Sequence, residues 1–160
     1  MKKLIPLVVI VSLVALLAGN AEQLEAQNGR FDFGHGITLE YHIVPFDNKV
    51  FRQKGGEIGP VYGVDGGGPP STKLEKLVLR RGKSVTQLEV SCMYEPAAGK
   101  MLKSQLHVRL INARSMTLTG SFSDAAGSYV AKWLIVDGIG VRTILSDDPE
   151  IVSCVESHPE

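Results

Sequence analysis

The chain has 160 residues, of which 44% are hydrophobic and 21% charged, and its 17 basic residues balance its 17 acidic residues. This length fits one ordinary domain. The balanced charge argues against a protein that binds nucleic acid through a phosphate-neutralising surface, because such domains carry a clustered excess of Lys and Arg.

Residues 1–21 have the pattern of an export signal. Two lysines give a positive start, residues 4–18 form an apolar run, and Gly19-Asn20-Ala21 supplies small residues for cleavage after Ala21. The alternative is a transmembrane anchor, but the run is about 15 residues, whereas a bilayer core requires roughly 20. The sequence therefore predicts export to a periplasm or the cell exterior, with no membrane anchor after cleavage.

Residues 22–160 are predicted to form a single all-β domain. Removing residues 1–21 takes away two lysines and no acid, so 15 basic and 17 acidic residues would remain, a formal charge of −2. A charge this small offers no strong attraction to anionic lipid or DNA, so specificity has to come from shape and a few placed groups.

Apolar and polar residues alternate along short segments past the signal, which is typical of half-buried antiparallel strands. Residues 129–136 are apolar on both faces and are predicted to be a central strand. Residues 137–140 form a hairpin turn because their glycines accept positive φ. The predicted strands, in chain order, are 37–44, 77–80, 84–92, 102–110, 116–123, 129–136, 141–145 and 151–155.

Short strands with uneven connections favour an antiparallel β-sandwich of seven to eight strands, with a small β-barrel as the alternative. An immunoglobulin topology is not expected. That topology places a tryptophan shortly after the first cysteine, whereas Trp133 lies far beyond Cys92.

Cys92 and Cys154 are the two cysteines, and an even pair in an exported chain predicts a disulfide. The alternative is a pair of unbonded thiols that pack as small apolar side chains. The four histidines are scattered without the spacing of a metal motif, so neither a metal nor a cofactor is expected.

A loop at residues 55–72 holds seven glycines and three prolines. It matches neither the P-loop nor the dinucleotide fingerprint, because no helix follows it. Long loops of this kind are binding loops, structural crossovers or flexible linkers, and the apolar content favours an ordered binding loop. Tyr62 and Asp65 are its predicted contact residues.

Met93 and Tyr94 follow the predicted strand 84–92 directly. Methionine and tyrosine are favoured in recognition surfaces because they supply large contact areas at modest entropic cost. Packing in the core is the alternative role for this pair.

The sequence thus predicts an exported binding module that recognises a protein or an envelope component through Tyr62, Asp65, Met93 and Tyr94. A small hydrolase is an alternative, with a carboxylate or histidine base such as Asp65 or His35, although no nucleophile motif supports it. A second alternative is an envelope assembly subunit whose edge strands pair with neighbours.

Overall fold

The protein is built from antiparallel strands arranged as two four-stranded sheets packed face to face. The structure, a computed structural model, describes residues 25–49, 59–65, 68–122 and 127–158. The predicted signal at 1–21 and residues 55–58 and 66–67 of the predicted loop lie outside this description. The predicted all-β sandwich is confirmed.

Each sheet is a meander in which every strand pairs with its neighbour in sequence. The first sheet contains β1 (Gln27–Asp32), β2 (Ile37–Pro45), β3 (Thr72–Arg81) and β4 (Ser84–Gln87). The second sheet contains β5 (Leu106–Leu110), β6 (Ser115–Phe122), β7 (Tyr129–Val136) and β8 (Ile139–Ser146). The strand β7 is central, as its sequence predicts.

The core lies between the two sheets and follows the alternation of the strands. In β2 the inward residues Ile37, Leu39, Tyr41 and Ile43 are all buried, while the residues between them are partly exposed. Trp133 in β7 is fully buried in the same cluster. Burial of these large side chains is the main stabilising contribution to the fold.

The two ends of the sandwich differ in the length of their connections. Tight turns join β1 to β2, β3 to β4, β5 to β6 and β7 to β8, and all four lie at one end, which we call the hairpin end. There the Thr86 hydroxyl donates to the Gly138 carbonyl at 2.8 Å and ties the sheets together. The opposite end, called the loop end, carries segments 59–65 and 88–98.

The β7–β8 turn is one residue pair, Asp137 and Gly138, with φ of 51° and 81°. Both values are positive, as a two-residue turn that matches strand twist requires. The strand β8 therefore begins at Ile139, two residues before the predicted start.

The predicted strand 102–110 is wrong in its first half. A short helix, Gly99–Ser104, occupies that part, and β5 begins only at Leu106. Leu102 is buried at 1% exposure. Its side chain reaches the core from the helix, so this segment does not have to pair as a strand. Lysine, methionine and leucine in this segment are good helix formers, as are the two alanines just before it, and this preference outweighs the alternation.

The predicted strand 84–92 is too long, because β4 ends at Gln87. The chain then arches away from β3 over residues 88–92, which we call the arch. Leu88 still donates to the Leu77 carbonyl at 2.9 Å, and the chain returns to β3 where Leu74 donates to the Met93 carbonyl at 3.0 Å.

The predicted strand 151–155 is instead part of a helix, Pro149–Ser157. The Asp148 carboxylate accepts hydrogen bonds from the Glu150 and Ile151 amides at 2.9 and 3.3 Å, and Pro149 occupies the first turn. Aspartate as N-cap followed by proline is a helix start.

The predicted disulfide is also wrong: Cys92 and Cys154 are both free. Cys92 is half-buried at the end of the arch beside the first sheet. Cys154 is exposed on the helix Pro149–Ser157, which packs on β6 and β7 of the second sheet. Because this segment is a helix and not a strand beside the arch, the pairing inferred from the sequence loses its basis.

Both cysteines are therefore expected to react as thiols. Alkylation of the unfolded, unreduced protein should add two labels per chain by mass spectrometry. In the folded protein Cys154 should label before Cys92, because it is exposed and Cys92 is half-buried. A mass showing no added label after unfolding would contradict the free-thiol assignment.

An ion-pair network covers the outer face of the first sheet. Arg80 donates to Glu40 through two contacts, at 2.9 Å from Nε and 3.3 Å from Nη2, and Arg30 lies 4.0 Å from the same carboxylate. The hydrogen bond and the charge of Arg80 hold the pKa of Glu40 below its ordinary value of 4.5.

A depressed carboxylate pKa gives a defined acid dependence. The contribution of Glu40 to stability is present above its unfolded pKa and is lost as pH falls through its folded pKa. We expect the melting temperature to fall on acidification below about pH 5, and the variant Glu40→Gln to show a shallower fall over the same interval. Identical acid profiles for the two proteins, measured by thermal denaturation, would contradict this role.

Candidate functional site

Three of the four predicted contact residues meet at the loop end. Tyr62 forms a parallel bridge with Met93, in which the Tyr62 amide donates to the Cys92 carbonyl at 3.2 Å and the Tyr94 amide donates to the Tyr62 carbonyl at 2.9 Å. Tyr94 in turn bridges Lys73 at the start of β3. We call Tyr62, Met93 and Tyr94 the tyrosine platform.

The side chains of the platform have different roles. Met93 is 1% exposed and belongs to the core, which corresponds to the packing role considered for it in the sequence. Tyr62 and Tyr94 are partly exposed, and Asp65, three residues beyond Tyr62, is exposed. Tyr62, Tyr94 and Asp65 are therefore at least partly accessible to solvent, whereas Met93 is not.

Aromatic contacts hold the two tyrosines in place. The Tyr62 ring lies 6.2 Å from the ring of Tyr129, which stacks on Phe122 at 5.2 Å. The Tyr94 ring meets Phe46 edge to face at 5.6 Å. Such pairs stabilise beyond the area that they bury, so Tyr129 in β7 and Phe46 just after β2 help to hold the two rings.

Gly63 permits the close approach within the platform. Its φ is +103°, and a Cβ at this position would overlap the carbonyl oxygen of Tyr94 and lie 2.8 Å from the Tyr129 ring. The Tyr129 hydroxyl donates to that same Tyr94 carbonyl at 3.2 Å. A side chain at residue 63 is incompatible with this packing.

The phenols of Tyr94 and Tyr129 remain protonated under physiological conditions because both pKa values are raised. Burial raises the pKa of Tyr129 strongly. Burial, with a smaller contribution from the neighbouring Cys92, raises the pKa of Tyr94 above its ordinary value of 10.0. The exposed part of Tyr94 therefore offers a neutral hydroxyl that can donate or accept a hydrogen bond.

A cleft of about 460 Å³ lies next to the platform, between β3 and the arch. Its walls include Lys73, Glu75, Glu89 and Tyr94. Lys73 lies 3.3 Å from Glu75, so the rim carries an ion pair in addition to the phenol. This volume is within the range of pockets that bind small molecules or single side chains of a partner.

Contacts with the second sheet fix the arch. The Trp133 indole N–H donates to the Glu89 carbonyl at 2.9 Å, and the Arg142 guanidinium donates to the Ser91 carbonyl at 2.8 Å. Hydrogen bonds from Ser91 hold the pKa of Glu89 below its ordinary value, so this carboxylate is ionised at neutral pH. The cleft is thus bordered by a fixed backbone.

The residues considered for a hydrolase do not come together. Asp65 lies at the loop end, whereas His35 lies in the β1–β2 turn at the hairpin end. Among the described residues, no group of three or more His, Cys, Asp or Glu side chains is placed to hold a metal ion.

Sequence reasoning missed the residues that support the site, namely Phe46, Tyr129, Glu89 and Arg142. The available signal was weak. Phe46 follows β2 and Tyr129 begins β7, so both are aromatic residues at the loop-end terminus of a strand. Glu89 lies in the arch, and Arg142 bonds to the arch backbone. Their role was missed because the sequence pattern predicted a strand for the arch.

Comparison of the chain with protein-family models, with curated proteins and with solved structures finds no match. None of the helices in the described ranges combines the length and the apolar character needed to traverse a bilayer.

Proposed function

We propose that this protein is an exported binding module that recognises another protein or an envelope component through its loop end. The observation that carries the proposal is the tyrosine platform beside the cleft: two partly exposed tyrosine rings are positioned by a backbone bridge, with a charged rim next to them. Binding sites are commonly placed on loops that a rigid scaffold positions.

The chemistry of the platform suits recognition. Tyrosine supplies a large, rigid, amphipathic surface with only two side-chain torsions to order, so it costs little conformational entropy on binding. Because Tyr62 and Tyr94 are already held by Tyr129 and Phe46, less freedom remains to be lost when a partner binds. Lys73, Glu75 and Asp65 add charges of both signs, which favours a polar partner surface.

Affinity capture tests this assignment. The purified protein is immobilised and exposed separately to envelope proteins and to envelope glycans, alongside the variants Tyr94→Ala and Asp65→Ala. Tyr94→Ala preserves the backbone bridge while removing the exposed ring. The control Ile111→Ala removes an apolar side chain that is 53% exposed at the hairpin end.

A partner retained by the wild type and the control but lost by Tyr94→Ala supports the loop-end site. Equal retention by all four proteins would contradict the site assignment, and so would a loss in Ile111→Ala equal to the losses in the two loop-end variants. The two arms of the experiment distinguish a protein from a glycan partner.

The export proposal rests on residues 1–21, and it has a separate test. Expression in a bacterial host followed by mass spectrometry of the secreted or periplasmic fraction should show an N-terminus at Glu22, the residue after the predicted cleavage position. Recovery only of an uncleaved chain in the cytoplasm would contradict it.

An assembly role is the second candidate, and one observation favours it. The strand β8 lies at the edge of the second sheet, and its Ile139 and Val141 are 71% and 58% exposed. Apolar edge strands pair readily with further strands. Sedimentation that shows a larger species at higher concentration, reduced by Val141→Lys, would support it, and a constant monomer mass would not.

A further inference from the structure

A second cleft opens between the two sheets at the hairpin end. Its volume is about 330 Å³, which is at the lower end of the range for small-molecule sites. Leu79, Met116 and Ile135 form its base, and each is at most 3% exposed. The base of the cleft is therefore apolar and continuous with the core.

Arg81 occupies an unusual position at the mouth of this cleft. It is the last residue of β3, and strand alternation puts it on the same face as the buried Leu77 and Leu79, towards the second sheet. It lines the cleft, and within the described ranges its guanidinium has no hydrogen-bond or ion-pair partner. Arg81 is partly exposed, so its guanidinium is accessible to an anion that enters the cleft from solvent.

The carboxylate across the mouth is already engaged. Asp137 accepts a two-pronged contact from Arg114, with 2.6 Å from Nε to Oδ1, and the Asp137 amide also donates to the Arg114 carbonyl at 2.9 Å. The mouth thus carries two guanidinium groups and one carboxylate among its lining residues. The charge left over at the mouth is positive and is located on Arg81.

We propose that the hairpin-end cleft binds a small amphipathic carboxylate. The carboxylate pairs with the Arg81 guanidinium, whose planar fork matches it in two hydrogen bonds. A short alkyl chain lies against Leu79, Met116 and Ile135. This site is separate from the loop end and does not depend on the binding role proposed there.

Titration of alkyl carboxylates into the protein, followed by amide NMR, tests this site. The probes are acetate, butanoate and octanoate below its micelle concentration, with octan-1-ol as the uncharged counterpart. Octanoate should shift resonances around the cleft, including Thr86 and Gly138, and its affinity should rise by about fourfold per added methylene while the chain fits. Octan-1-ol should bind at least tenfold more weakly than octanoate.

Two variants that each remove one positive charge distinguish a direct Arg81–carboxylate pair from long-range electrostatic attraction. Arg81→Gln should lower the affinity for octanoate by roughly tenfold or more, because a charge-assisted pair is lost. Lys83→Gln removes one positive charge from the exposed turn next to it and should change the affinity by less than twofold. Thermal denaturation of both variants establishes that the fold is intact.

Equal losses in the two variants would overturn the proposal, because general electrostatics would then explain binding. Equal binding of octanoate and octan-1-ol would also overturn it, as would shifts scattered away from the hairpin end. Failure here would leave the loop-end capture result unaffected, and the reverse is also true.

Discussion

Replacing Gly63 with alanine is expected to destabilise the protein by about 2–4 kcal/mol and to abolish capture at the loop end. The new Cβ would overlap the carbonyl oxygen of Tyr94 and crowd the Tyr129 ring. The obstructing Tyr94 atom belongs to the backbone and cannot rotate away as the end of a flexible side chain would. We therefore expect the bridge between Tyr62 and Met93 to open. Urea denaturation measures the first effect and affinity capture the second.

Gly59→Ala is the matched control for this substitution. Gly59 also has a positive φ, +82°, but no atom of the described residues lies within 4 Å of the position that its Cβ would take. It should therefore show only the cost of the left-handed backbone, about 1 kcal/mol, with capture retained. Equal losses of stability in the two variants would mean that the contact with Tyr94 is unimportant.

Truncating Trp133 should have the largest effect on stability in the core. Trp133 is fully buried, meets Phe122 edge to face at 6.3 Å, and donates its indole N–H to the Glu89 carbonyl. Trp133→Ala is expected to lose about 3–5 kcal/mol, because it creates a large cavity and removes that hydrogen bond. This loss is comparable with the whole stability of a marginal domain.

Trp133→Phe separates the hydrogen bond from the aromatic volume. It should cost about 1–3 kcal/mol and raise amide hydrogen exchange within the arch, because the Glu89 carbonyl loses its donor. Leu134→Ala, on the outer face of the same strand and 37% exposed, should leave the exchange of the arch unchanged. Unchanged exchange in Trp133→Phe as well would show that this bond does not fix the arch.

The sandwich was predictable because several strands carry unambiguous local signals. The alternation of apolar and polar residues in β2 indicates burial on one face. The Asp137–Gly138 pair indicates a hairpin because it accepts the positive φ values of a two-residue turn. The edge strand β1 was missed because Phe31 is its only buried residue. A strand that buries so little has almost no periodic signal.

The errors arise where one residue pattern serves two structures. Aspartate followed by proline begins both turns and helices, and only the packing of Pro149–Ser157 on β6 and β7 decides between them. The disulfide inference depended on that segment being a strand. Cysteine count and compartment cannot supply the distance between two side chains.

The candidate site was predictable in its residues but not in its assembly. Tyr62 and Tyr94 were identified by residue type and by their position beside glycines or at a strand end. Their backbone bridge joins segments distant in sequence, and no local pattern reports such a contact. Arg81 shows the same limit, because its inward orientation matters only once the second sheet lies opposite it.

The meander topology also bears on how the chain reaches this fold. The strands of the first sheet come from residues 27–87 and those of the second from residues 106–146, so each sheet is a contiguous stretch of hairpins. Apart from the β2–β3 connection, residues 46–71, pairing between sequence neighbours closes short loops, which lowers the entropic barrier to folding relative to sandwiches whose strands interleave. Docking of the two sheets is then the main long-range step. A chain divided within residues 88–105 would keep each meander in one piece, so the two fragments have the connectivity required to reassemble.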